Sequence, residues 1–148
     1  MNIFDRMTNK IGEFFRRIFI NSEESFSPEK SILKQRASQK RLKESLTELV
    51  FQRKKLETQI RKLNEKSFGL KEDLEMAALN DKDQLALHLM EELELTELEL
   101  KEAATNLDLV TKEIQSGKQL EIELNQQIKK SESQLAVLAS RSQSVKMR

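Results

Sequence analysis

Apolar positions recur along most of this chain with one spacing. From Pro28 to about Val145 they describe two long helices folded back on each other. In the first half the series is Leu42, Leu46, Leu49, Leu56, Ile60, Leu63, Leu70, Leu74 and Ala77. Its gaps alternate between four and three once Arg53 and Ser67 take their slots. The second half continues with Leu89, Leu93, Leu100, Ala103, Leu107, Val110, Ile114, Leu124, Ile128, Leu135 and Leu138. A stripe of period 3.5 held over several heptads keeps one side of each helix turned to its partner. The pattern predicts an all-α fold: an N-terminal amphipathic helix followed by a long antiparallel coiled-coil helical hairpin.

Two places offer a reversal, Ser67-Phe68-Gly69 and Asn80-Asp81-Lys82-Asp83. Glycine is the usual breaker, yet the stripe passes from Leu63 through Ser67 to Leu70 and Leu74 without a phase slip, and a turn would reset the phase. Asn80 tolerates a left-handed backbone, and Asp81 with Gln84 three residues on suits a capping box. The tip is therefore expected at 80–83, with helices over 28–79 and 84–145 and a frayed tail at 146–148. Gly69 reads as a weak point within the first helix. Gly117 falls on a stripe position and suggests an elbow in the second. The polar end from Ser140 is expected to fray.

Residues 1–21 carry a different pattern. Ile3, Phe4, Met7, Ile11, Phe14, Phe15, Ile18 and Phe19 fall on one side at helical spacing, over an arc of roughly 160°. Four of the seven phenylalanines of the chain sit here. Arg6, Lys10 and Arg17 line one border of that arc, with Asp5, Asn9, Glu13 and Arg16 opposite. A wide aromatic face edged by cations suits a helix lying in the headgroup region of an anionic membrane, where arginine and lysine meet lipid phosphates. The competing expectation is that this face packs on protein. Residues 22–27 read as a hinge. Ser27, Pro28 and Glu29 then restart the helix as N-cap, first-turn proline and first-turn acid.

Composition sharpens this picture. Charged residues make up 34% of 148, with no Trp, Tyr or Cys, three Gly and one Pro. Such a chain lacks material for a broad core and suits long helices with one buried stripe. Without cysteine there are no disulfides, thiolate metal sites or thiol catalysis. No apolar run is long enough to span a bilayer, and Ile18-Phe19-Ile20 is too short for a signal-peptide core. The expected location is cytoplasmic, peripheral on the inner face of the plasma membrane.

The net charge of +1 hides a segregation. By segment the balance is +2 over 1–21, +5 over 22–66, −9 over 67–113 and +3 over 114–148. Folded near 80, the hairpin has an acidic tip half and a basic open half, a polarity suited to staggered side-by-side packing of copies. Large apolar residues outside the stripe, Phe51 and Leu79 on the first helix and Leu95, Leu98 and Leu109 on the second, are the candidate assembly contacts.

Catalytic chemistry is not in evidence. There is no phosphate-cradling glycine loop, nucleophile elbow or carboxylate–histidine cluster at metal spacing, and no cofactor or enzymatic activity is expected. His88 with Glu91 and Glu92 is a trio that exposed helices carry by chance. The basic run from Lys34 and Arg36 through Lys40, Arg41 and Lys43 has no aromatic companions for base stacking, so nucleic acid is not an expected partner.

The opening Met1-Asn2-Ile3-Phe4-Asp5-Arg6 resembles the Met-Gly-Ile-Phe-Ser-Arg start of the phage shock protein A family, which includes the vesicle-inducing protein of plastids and is the bacterial branch of the ESCRT-III superfamily. Pro28-Glu29-Lys30 stands where that family has Asp-Pro-x-Lys, and Asp83-Gln84-Leu85-Ala86 is similar to its Glu-Asp-Leu-Ala. Asn2 replaces the family glycine and Ser27 its aspartate. The resemblance implies a membrane helix holding Ile3, Phe4 and Arg6, and a hairpin that polymerises side by side. It also implies binding to anionic or packing-stressed membrane, and for some members restraint of a AAA+ transcription activator. The family's further C-terminal helices have no counterpart here, so the expectation is a short form that assembles with itself or with a longer paralogue.

Overall fold

The computed structural model describes residues 28–146. All of them except Asn80, Asp81 and Lys82 are helical, in two long elements packed against each other as a hairpin, with no strand among the described residues. Helix α1 is Pro28–Leu79, 52 residues, and α2 is Asp83–Lys146, 64 residues. Proline at the first position of α1 sacrifices no backbone bond, because the first N–H groups of a helix have no partner within it, and Glu29 in the first turn favours the helix dipole. Ser27, the expected cap, lies outside the described residues, as do the 1–21 segment, the hinge 22–27 and residues 147 and 148.

The reversal shows how α1 is closed. Lys82 N–H donates to the Ala77 carbonyl at 3.0 Å and Asp81 N–H to the Ala78 carbonyl at 3.4 Å. That pair of bonds is a Schellman closure, which requires a left-handed residue just past the helix. Asp81 takes that position with φ 55°. The left-handed residue is thus Asp81 rather than Asn80, whose side-chain amide instead donates to the Met76 carbonyl at 3.0 Å. Nor is Asp81 the cap of α2: the Lys82 carbonyl accepts from Ala86 N–H at 2.9 Å, so Lys82 holds the N-cap and Asp83 is already helical. The tip is one residue shorter than the expected 80–83, because the closure of α1 and the opening of α2 share Lys82.

The helices organise into two compact units. In the unit formed by α1 up to Leu49 and α2 from Lys112, the core is Leu42, Leu46, Leu120, Leu124 and Ile128. Leu42 and Leu124 are each only 1% exposed, so each side chain contributes about 1.5–3 kcal/mol by burial. Gln39 donates to the Asn125 side-chain oxygen across the two helices, and Arg36 pairs with Glu132 at 2.7 Å. A polar pair at a helix–helix seam matches in one register only, which makes it a specificity device more than a source of stability.

Gly117 belongs to this core and is not an elbow, for α2 passes through it unbroken. It is buried, and a Cβ placed there would lie 2.5 Å from Leu46 Cδ2 and 3.3 Å from Cγ. The absent side chain is the space that Leu46 fills. Leu138, expected in the stripe, is half exposed. The pairs Arg36–Glu132 and Gln39–Asn125 set an antiparallel register in which Leu138 comes level with the first residues of α1, at the edge of the described hairpin. α2 is helical through the polar stretch from Ser140 to Lys146, where no Gly or Pro interrupts the backbone bonds.

The second unit is Val50–Thr111. Leu70, Ala77 and Leu89 are buried in it, with Leu74, Ala86 and Leu93 packed against them. Ser67 is buried and Arg53 half-buried, as their places in the stripe require. Thr96 is buried as well, and its hydroxyl donates to the Glu92 carbonyl at 2.8 Å, so that hydroxyl is not stranded. Gly69 sits within α1 and a Cβ there would meet nothing within 4 Å. Gly69→Ala is expected to stabilise the protein by about 1 kcal/mol, read from the urea midpoint, because alanine loses less backbone entropy and there is room for it.

Candidate assembly and docking surface

The five residues expected to make assembly contacts all lie outside the buried stripe. Phe51, Leu79, Leu95, Leu98 and Leu109 range from 42% to 74% exposed, with Leu109 lowest and Leu79 highest. Each belongs to the Val50–Thr111 unit. Phe51 is partly covered by Lys55, whose ammonium sits 4.6 Å from the ring centroid. Such a cation–π contact at an exposed site contributes about 0.5–1 kcal/mol, and the residue stays 52% exposed.

The structure widens this set. Leu87, Met90, Phe68 and Met76 are also exposed. Eleven residues are very nearly three helical turns, so Leu87, Leu98 and Leu109 lie along one outward line of α2. Leu95 stands one turn from Leu98 beside that line. On α1, Phe68, Met76 and Leu79 are likewise turned away from the buried stripe. The signal for these residues was present as apolar side chains out of phase with the 3.5 repeat; what hid them was the absence of a repeat of their own long enough to notice.

Acidic side chains share this surface. Residues 67–99 hold ten Asp and Glu against two Lys. Glu91 and Glu94 fall between Leu87 and Leu98 on the outward side of α2 and are exposed. Lys71 reaches Glu97 on the facing helix at 3.9 Å, an exposed pair of small energetic weight.

His88 and Glu91 are exposed and Glu92 is half-buried. Among the described residues no three His, Asp or Glu side chains are gathered as a metal cage, and no helix is long and apolar enough to cross a membrane. The basic run Lys34–Lys43 lies on α1 in the other unit.

One acid is displaced in its titration. Burial pushes the Glu113 carboxyl above its ordinary value of 4.5. Its raised folded value means that the ionised carboxylate costs stability at neutral pH, and that this cost fades as pH falls through the folded value and is gone below about 4.5. Glu113→Gln is expected to raise the melting temperature slightly at pH 7 and to leave it unchanged near pH 4. A gain that persisted at pH 4 would point to packing instead.

The membrane-facing set of the N-terminal pattern, Ile3, Phe4, Arg6, Met7, Lys10, Ile11, Phe14, Phe15, Arg17, Ile18 and Phe19, lies outside the described residues. Compared with protein-family models, with curated proteins and with solved structures, the chain matches none of them.

Proposed function

We propose that this protein is a peripheral membrane-binding, self-assembling ESCRT-III-like hairpin that remodels or protects the cytoplasmic membrane in a phage-shock-type envelope stress response. Residues 1–21 insert at the surface of the cytosolic leaflet, and the hairpins associate laterally, with themselves or with a longer paralogue. The observation that carries this reading is where the hairpin spends its apolar residues. From Ile32 to Ile128 the inward positions of α1 and α2 face each other, most of them buried and the rest, among them Ile60, Leu74, Leu93, Leu100 and Leu107, half-buried. The phenylalanine-rich face of 1–21 therefore finds no vacancy in that stripe and needs an apolar environment elsewhere, which lipid supplies. The resemblance of Met1–Arg6 to the phage shock protein A opening supports the same conclusion.

Burying several Phe and Ile side chains at ~25 cal/mol per Å² yields a few kcal/mol once ordering of the segment is subtracted. One copy thus binds weakly, and many copies in one assembly bind firmly. The test is pelleting of the protein with anionic vesicles, with electron microscopy of the same mixtures; a protein left in the supernatant at every lipid concentration overturns the reading. For assembly, Leu95→Asp with Leu98→Asp is expected to leave helix content unchanged and to abolish large particles in sedimentation. Unaltered particle size would remove the outer face of α2 from the contact.

A second reading, a soluble coiled-coil adaptor or regulator whose N-terminal segment docks on a protein partner, draws on the exposed acidic and apolar surface of Val50–Thr111. There a protein partner, and not lipid, changes the helicity of residues 1–21.

A further inference from the structure

Most of the exposed large apolar residues described in this chain fall within Val50–Thr111, and the sharpest concentration is where the acids are. Leu87, Leu95 and Leu98 stand on the outward side of α2 with Glu91 and Glu94 between them. A surface that is both greasy and anionic is repelled by an anionic bilayer, so its occupant must be apolar and cationic. Methionine at Met76 and Met90 adds side chains that adapt to an irregular partner.

The sequence contains one segment of that chemistry. Read at helical spacing, residues 1–21 would place Phe4, Phe14 and Phe15 on one face with Arg6, Lys10 and Arg17 along its border, and they hold four basic against two acidic side chains in all. We propose that, away from lipid, residues 1–21 of a second copy dock on the Leu87–Leu95–Leu98 face, their arginine and lysine side chains meeting Glu91 and Glu94. This rests on the amphipathic reading of that segment and adds its regulation: the same aromatic face has two mutually exclusive seats, and anionic membrane releases it from protein.

Reach decides between the chain's own face and a neighbour's. Only residues 22–27 separate the segment from α1. A 21-residue helix on that connector extends about 50 Å. Lys71, which pairs with Glu97 beside the face, lies more than forty residues along α1 from Pro28, about 65 Å. Docking is therefore between copies. While the seat is filled, the fraction of segments free for lipid falls and apparent membrane affinity falls with it.

The test uses the full chain with Phe15 replaced by photoreactive benzoylphenylalanine and irradiated with and without anionic phosphatidylglycerol vesicles. The expected product without vesicles is a dimer-sized adduct whose cross-linked peptide falls within 85–101. Its yield should drop about tenfold when vesicles are added, and several-fold in the Glu91→Gln, Glu94→Gln variant. Adducts confined to single chains, adducts mapping to α1 before Leu49 or α2 after Lys112, or no adduct at all would each overturn the docking. Vesicle pelleting without such an adduct leaves the membrane reading standing and removes this one. An adduct undiminished by vesicles keeps the docking and removes its competition with lipid.

Discussion

Phe15→Glu is expected to weaken pelleting with anionic vesicles by about 100-fold or more while the helix content of the hairpin stays unchanged. The magnitude follows from two losses. A buried phenylalanine contributes about 1.5–3 kcal/mol, and a new carboxylate at a negative surface costs about 1 kcal/mol more. Together they come to about 2.5–4 kcal/mol, a range that includes the roughly 2.8 kcal/mol corresponding to 100-fold in affinity. Phe4→Glu should behave alike, since Phe4 shares the aromatic face. Phe15→Leu is the control: it keeps most of the apolar area and should retain binding within about tenfold. Raising the salt concentration should weaken the parent too, because Arg6, Lys10 and Arg17 meet lipid through screened charge. Equal pelleting of Phe15→Glu and parent would show that the aromatic face does not enter lipid.

Gly117→Val should lower stability by about 2 kcal/mol, measured by urea unfolding. An added Cβ at this position would lie 2.5 Å from Leu46 Cδ2, and valine adds two further methyl groups in the same direction. Overpacking of a filled core costs about 1–3 kcal/mol, and β-branching removes part of the helix-propensity gain over glycine. Gly117→Ala is milder, because about 1 kcal/mol of gained propensity offsets much of the clash. The partner is identified by a double-mutant cycle: in a Leu46→Ala background most of the Gly117→Val penalty should vanish, since the methyl groups then occupy vacated space. A penalty that was the same in both backgrounds would show that Leu46 is not what the glycine accommodates. The opposite sign expected for Gly69→Ala makes the two glycines an internal comparison, one with open space beside it and one with a leucine.

Much of the hairpin is legible in the apolar spacing. Leu42, Leu46, Leu49, Leu56, Leu63 and Leu70 are all buried at the positions where a period of 3.5 places them, and Ser67 is buried because the phase demands that slot whatever occupies it. The uninterrupted phase across Gly69 likewise distinguishes a tolerated glycine from a turn. Around Gly117 the count fails. Continuing by fours and threes from Ile114 and Gly117 leads to Glu121, whereas the structure buries Leu120 and leaves Glu121 half-buried. Local spacing cannot choose between adjacent slots; the facing leucines Leu42 and Leu46, which share a cluster with Leu120, do so. Thr96 and Ser131 are polar by type and buried by position, each filling the slot that the spacing leaves between Leu93 and Leu100 or between Ile128 and Leu135, as Ser67 does on α1.

The candidate surface divides in the same manner. Leu95, Leu98 and Leu109 are recognisable as out-of-phase leucines; Leu87, Met90, Phe68 and Met76 carry the same out-of-phase signal, and it is their exposure in the fold that joins them to the set. The acidic excess of 67–99 is a property of composition. That Glu91 and Glu94 fall on the same outward side as the leucines follows from the placement of the buried stripe.

By itself the sequence determined that two helices form and pair, because a periodic apolar stripe can be removed from water only against another stripe of the same period. It also determined the contrast between a basic aromatic N-terminal segment and an acidic helical tip, which is a matter of side-chain type alone. The tertiary structure decided the details of contact. Asp81, not Asn80, bends left-handed, since the closing bonds to Ala77 and Ala78 place the turn there. Gly117 makes room for Leu46, and Leu138 loses its place in the core. The last two depend on which atoms of α1 meet which atoms of α2, and a distance between two helices is not a property of either one.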